Sequence, residues 1–157
     1  MQTLKMQVSL NENEQRLAKF LAKTRYTQNR KAGRLNQKAG PQSDARTELQ
    51  GAGGEIAFSK WANVYPDMKD SPDKFDVVWE HNETVDVKTT HHEHGHLEVS
   101  ANKKQGDVDI YALVIGEFPS FRVAGYMPAH TLMTDEYLYT HERTGSTVWR
   151  VPQEDLR

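Results

Sequence analysis

The residues whose types and spacing suit metal-assisted hydrolysis are Asp76, Asp86 and Lys88, with Glu55 upstream. Asp86 and Lys88 stand two apart in TVDVKT (84–89), a β-branched run that predicts a strand. Side chains two apart on a strand share a face, so Asp86 and Lys88 point one way and Val85 and Val87 the other. The sheet is then apolar behind and charged in front. FDVVW (75–79) reads as the partner strand, and EHN (80–82) as a three-residue hairpin loop with Asn82 in the left-handed position. That register sets Val77 opposite Val85 and Asp76 opposite Asp86. Like charges across a strand pair repel, and both stay ionised near neutral pH only beside a compensating cation. A hard divalent cation with oxygen ligands meets that need.

The elements that must position these residues follow from period and punctuation. Ser9 or Asn11 caps a helix over about 11–29, with Glu12 and Glu14 in its first turn and Leu17, Phe20 and Leu21 facing inward. Residues 30–46, RKAGRLNQKAGPQSDAR, have too few apolar side chains to offset the entropy of ordering, and read as a basic linker that orders on a nucleic acid. A second helix begins with Ser43 or Asp44 as cap and turns Leu49, Ala52, Ile56 and the Trp61/Ala62 pair inward. Gly51, Gly53 and Gly54 weaken it but permit another backbone to come close. Glu55, beside the core residue Ile56, lies at the rim and reaches over the sheet. Strands are predicted at 109–117 and 121–128, with the run Ile110–Ile115 buried on both faces, and a short one at 97–100. The tail holds a short helix or irregular segment at 130–141 and an edge strand at 146–152. Trp61, Trp79, Tyr111, Phe118, Phe121 and Tyr126 read as core, and Tyr137 and Tyr139 as exposed.

Length and charge set the frame. A chain of 157 residues is one folded domain's worth. It has no cysteine, which excludes disulfides, thiolate metal sites and a cysteine nucleophile. No apolar run approaches membrane-spanning length and no signal-type segment opens the chain, so the expectation is a soluble, intracellular (cytoplasmic) protein with no membrane partner. Residues 1–46 hold ten Lys/Arg against three Asp/Glu, a net of +7, while the remainder carries ten against nineteen, a net of −9. This divides the chain into a basic helical arm and linker (1–46) and an acidic body (47–157), and suggests a polyanion-facing segment.

In order, a helical acid (Glu55), a strand acid leading into apolar residues (Asp76 in FDVVW), a short hairpin and then Asp86-Val87-Lys88 in TVDVKT resemble the PD-(D/E)XK nuclease superfamily. The resemblance covers residues 51 to about 115. It implies an α/β, restriction-endonuclease-like core, a mixed four- to five-stranded sheet flanked by helices, behind a helical basic N-terminal segment. It also implies a phosphodiesterase dependent on Mg²⁺ or Mn²⁺ that acts on DNA, as an endonuclease rather than an exonuclease. Asp76 would bind or bridge the metal, Asp86 would be a second ligand with the Val87 carbonyl beside it, Glu55 would bind directly or through water, and Lys88 would orient the attacking water. Small members include junction resolvases, restriction-like enzymes and phage recombination or repair nucleases, several of them homodimers. The proline-aspartate pair occurs literally as Pro72-Asp73, three residues before Asp76, which makes Asp73 the fallback ligand. Arg30, Lys31, Arg34 and Lys38 in the linker, and Lys103 and Lys104 after the short strand, would contact phosphates.

HHEHGH (91–96) carries four imidazoles, and an extended chain there would put His92 and His94 on one face for Zn²⁺, Ni²⁺ or iron. The expectation is instead a polar loop near the substrate groove, with His92 at phosphate. Two alternatives to a nuclease follow: a non-catalytic nucleic-acid-binding domain of the same fold, and a histidine-ligated metalloprotein.

Overall fold

The computed structural model describes residues 7–31, 44–68 and 75–157. Its first helix, α1 (Glu12–Lys31), is closed by reciprocal bonds at its start. Glu14 N–H donates to Asn11 Oδ1 at 2.9 Å and Asn11 N–H to Glu14 Oε1 at 2.8 Å, so Asn11 is the cap. The first helix thus starts as expected, and it ends at Lys31, inside the stretch read as linker. Ahead of it an unexpected strand, β1 (Gln7–Ser9), carries Val8 into the core. Helix α2 (Asp44–Ala62) lies against α1, and its start takes residues 44–46 out of that linker. Leu17 and Leu21 face inward, whereas Phe20 does not: it is 62% exposed.

The strands that follow are β2 (Val77–Val78), β3 (Thr84–Thr90), β4 (Leu97–Ser100), β5 (Ile110–Glu117) and β6 (Ser120–Pro128). A short α3 (Ala129–Leu132) leads to β7 (Leu138–Thr140) and β8 (Thr147–Val151). The chain is mixed α/β. Its main sheet has five strands in the order β1-β6-β5-β3-β2, with β3 and β5 parallel and every other pair antiparallel. The hairpin register matches the expected one, Val77 facing Val85. The loop 80–82 puts two residues in the left-handed region, His81 (φ 55°) as well as Asn82 (φ 61°). The sheet curls until the hairpin meets the far strand: the Trp79 ring stands edge-on to Tyr126 with centroids 5.0 Å apart.

Helices α1 and α2 cover one face of this sheet. Val85 and Val87 of β3, and Ile110, Ala112 and Val114 of β5, point into that core. The alternate residues Tyr111, Leu113 and Ile115 point into a second core, so β5 is buried on both faces as its apolar run predicts. The second core is roofed by a three-stranded sheet, β4-β8-β7. Here the expectation is corrected: the face bearing Asp86 and Lys88 is not simply charged and open, and β8 is the central strand of a sheet, not an edge. The division of charge at residue 46 is not a division of packing, because Val8, Leu10, Ala18, Leu21 and Ala22 share a core with Val85 and Val114. Tyr111 and Phe121 are buried, and Trp61, Trp79, Phe118 and Tyr126 pack against the first core. Tyr139 is exposed as expected, while Tyr137 is half-buried and its hydroxyl donates to Asp155 Oδ2 at 3.0 Å.

The glycines of α2 differ in role. A Cβ at Gly54 would collide with Thr89 Oγ1, so this glycine is what lets α2 settle on β3. A Cβ at Gly51 would meet nothing within 4 Å. Gly51→Ala is therefore expected to stabilise the protein by about 0.5–1 kcal/mol, the helix-propensity gain. Gly54→Ala is expected to destabilise it by about 2–3 kcal/mol through overpacking. Urea unfolding midpoints of the two variants check the opposite signs.

Candidate active site at the open edge of β3

Strand β2 is only two residues long, and its pairing with β3 ends at Val77 and Val85. Beyond that point no strand among the described residues pairs with this edge of β3, and Asp76 bends over it. Asp76 N–H donates to the Val85 carbonyl at 2.8 Å, and Asp76 Oδ2 accepts from Val87 N–H at 2.7 Å. The carboxylate thus takes the place of the missing strand. Around this edge the two faces of the sheet communicate. Glu55 comes from α2 on the helical side, brought down by the Gly54–Thr89 approach, close enough to Asp76 that each carboxyl bears on the other's ionisation. Asp86 comes from the other face, where it is 8% exposed and its register partner on β5 is Tyr111. Lys88 Nζ lies 3.1 Å from Asp86 Oδ2. The four residues that the sequence singles out therefore converge, by way of an edge rather than across one face.

A fifth residue joins them that the sequence reading passed over. Arg25 of α1 places Nη1 2.6 Å from Glu55 Oε2, with the two side chains 24% and 12% exposed. The signal was present. Arg25 follows Leu21 by four residues and Ala22 by three, so it sits on the buried stripe of an otherwise basic helix. Charge on an apolar stripe implies a buried counter-charge.

The electrostatics follow from crowding three acids into little water. Burial raises the Glu55 carboxyl above its ordinary range, and Arg25 offsets only part of this. Asp76 is pushed well above its ordinary range, by burial first and then by Glu55 and Asp86, and the Val87 N–H and Lys88 hold back part of the rise. Tyr111 is pushed up to about 12 by burial, with Asp86 and Asp107 adding to it, so it remains a neutral phenol at any physiological pH. In this arrangement Arg25 engages Glu55 and Lys88 engages Asp86. Among the described residues no group of three His, Asp or Glu side chains is disposed to hold a metal ion.

The other sequence candidates fall elsewhere. Residues 91–96 form a turn, with Gly95 N–H donating to the His92 carbonyl at 2.9 Å, so the extended placement of His92 beside His94 does not occur. His92 is exposed, its ring 4.1 Å from that of His91. Lys103 and Lys104 are exposed in the turn between β4 and β5, and Lys31 is exposed at the end of α1, with Arg30 inside the same helix. Asp73, Arg34 and Lys38 lie outside the described residues. No helix among the described residues is long and apolar enough to cross a membrane.

Residues 4–117 match a family described as a family of unknown function, DUF5843, and the chain belongs to that family. The matched span contains Arg25, Glu55, Asp76, Asp86 and Lys88. Among curated proteins none matches the chain.

Two outcomes follow from the charge balance. Arg25→Met leaves a buried carboxylate without its cation and is expected to destabilise the fold on the order of 2–3 kcal/mol, with Glu55→Gln added to it restoring part of the loss. An acid with a raised folded-state pKa binds more protons folded than unfolded, so its contribution to stability falls as pH rises from the unfolded-state value, 3.8 for Asp76, through the folded-state value. Asp76→Asn is expected to stabilise the metal-free protein at neutral pH and to flatten this decline. Thermal midpoints across pH 4–8 in EDTA test it, and parallel profiles for the variant and wild type would count against it.

Proposed function

We propose that this chain is a divalent-metal-dependent nuclease of the PD-(D/E)XK type, with a restriction-endonuclease-like core, that hydrolyses phosphodiester bonds in DNA. The observation that carries the reading is the meeting of Glu55, Asp76, Asp86 and Lys88 at the open edge of β3. Glu55 of α2, Asp76 just ahead of β2, and Asp86 and Lys88 of β3 converge there. Two of the three acids are held at raised pKa values, an arrangement whose cost is removed by a further positive charge.

The donors fit Mg²⁺ or Mn²⁺ by chemistry, since carboxylate and carbonyl oxygens are what a hard cation takes. Asp76 and Asp86 would hold it, with the Val87 carbonyl next along β3 and Glu55 bound directly or through water once released from Arg25. Such an ion, when bound, supplies Lewis-acid stabilisation of the phosphate and a more acidic water. The rest is done by the chain. Lys88 orients the attacking water and offsets the negative charge that grows on the phosphate oxygens in the transition state. Arg25 keeps Glu55 and, through it, Asp76 in place. Endonucleolytic, structure-directed cutting of junctions, flaps or repair intermediates is the mode proposed, and dimerisation would bring two such sites to two strands.

One observation favours a second reading, a non-catalytic nucleic-acid-binding domain of the same fold. Arg25 and Lys88 already neutralise two of the three acids from within. A panel of labelled duplex, single-stranded, flap and four-way-junction DNA, incubated with Mg²⁺, Mn²⁺ or EDTA, separates the two. Cleavage by wild type, abolished by EDTA and lowered roughly a hundredfold or more in Asp86→Ala and Lys88→Ala, is the expected result. Binding without cleavage of any substrate would establish the second reading.

A further inference from the structure

Helix α1 has two faces of different kind. Leu17, Ala18, Leu21, Ala22 and Arg25 turn toward the protein, while Arg16, Lys19, Phe20, Lys23 and Lys31 are exposed along the opposite side. At about 100° per residue, Phe20 lies roughly 140° round the helix from Arg25. An aromatic ring left 62% exposed in the middle of a cationic stripe belongs to neither core among the described residues. Beside it, Lys19, Ala22, Lys23 and Tyr26 of α1, with Ala45 and Leu49 of α2, line a hollow of about 250 Å³. Its floor is apolar and its rim carries the two lysines, which separate it from Phe20.

We propose that this face of α1 binds single-stranded nucleic acid, with Lys19 and Lys23 on successive phosphates, Phe20 stacked on one base and the neighbouring base seated in the hollow. The charge distribution selects the occupant. Residues after 46 carry a net −9 and repel a polyanion, while residues 1–46 carry +7. Aromatic side chains interleaved with cations are what a flexible strand with exposed bases recognises, and a duplex offers no free base face. The choice of nucleic acid among polyanions rests on the nuclease reading. The surface itself is separate from the acid cluster, because the same helix turns Arg25 the other way.

Fluorescence anisotropy with a labelled oligothymidylate, in EDTA and over a range of salt, tests this beside a duplex of equal length and phosphatidylserine vesicles. Glu142→Gln, at an exposed position in the turn after β7, serves as a reference, and far-ultraviolet circular dichroism verifies folding. Phe20→Ala is expected to weaken oligothymidylate binding about tenfold without changing its salt dependence, as loss of one stacked base does. Lys19→Ala with Lys23→Ala is expected to lower the slope of log affinity against log salt by about 1.4, two phosphate contacts' worth. Wild-type affinity and slope in both variants, duplex bound as tightly as the single strand, or vesicle binding in place of oligothymidylate binding would overturn the proposal. Cleavage by wild type alongside unaltered binding by the variants would refute this surface and leave the nuclease reading standing. Binding with the expected dependences but no cleavage would do the reverse.

Discussion

Three carboxylates confined with little water at one sheet edge repel one another, and the local structure is arranged to contain that repulsion. Arg25 from α1 lowers the cost of ionising Glu55, and Lys88 and the Val87 N–H, both of β3, lower that of Asp76. The containment is partial, since Glu55 and Asp76 are still held above their ordinary ranges. A protein built only for stability would place apolar residues at such an edge, because buried ion pairs seldom outperform well-packed hydrocarbon. A buried acid cluster with raised pKa values is the kind of arrangement that the proposed chemistry would use.

The architecture explains how the cluster forms from residues on opposite faces. Strand β3 lies between β5 and the two-residue β2, so one side of it is buried in the sheet and the other, among the described residues, has no strand partner past Val85. At an open edge a side chain from the helical face and one from the opposite face come within reach of the same point. Asp76, arriving from the hairpin, is raised by the charge of both Glu55 and Asp86. Gly54 fixes how far α2 descends, and with it the height of Glu55 above β3. The site thus depends on one short strand, one missing side chain and one helix contact, none of which is itself reactive.

Much of this was legible in the chain. Period-two runs marked β3, β5 and β6 within a residue or so, and the hairpin register followed from loop length alone because a one-residue slip would expose Val85 and Val87. The resemblance carried by Glu55, Asp76 and Asp86-Val87-Lys88 singled out four positions that the fold brings near one another. What could not be read was set by contacts distant in sequence. β1 is three residues that become a strand only because β6 offers an edge, and the second sheet exists because β4 finds β8 far along the chain. The histidine-rich turn illustrates the limit of composition: its spacing suited ligands only on an extended chain, and the bond from Gly95 to the His92 carbonyl makes it a turn. Phe20 failed the inward expectation because periodicity admits it to either side of a helix boundary, and the packing of α2 chose Leu17 and Leu21.

Strand β4 belongs to the smaller sheet, yet it sits in the connection that carries the chain from β3 to its parallel neighbour β5. Closing the β3–β5 pair therefore closes a loop that contains β4, and β4 finds its own partner only when the chain has reached β8. The entropic cost of the parallel pairing is met in part by contacts made with residues near 150. The two sheets are consequently coupled, because Leu97 and Val99 of β4 and Val151 of β8 pack in one core with Tyr111, Leu113 and Ile115 of β5. Pairings of high sequence separation slow the route to the native state. The acid cluster at the edge of β3 thus stands on a sheet whose second face is covered by strands that contribute no residue to it.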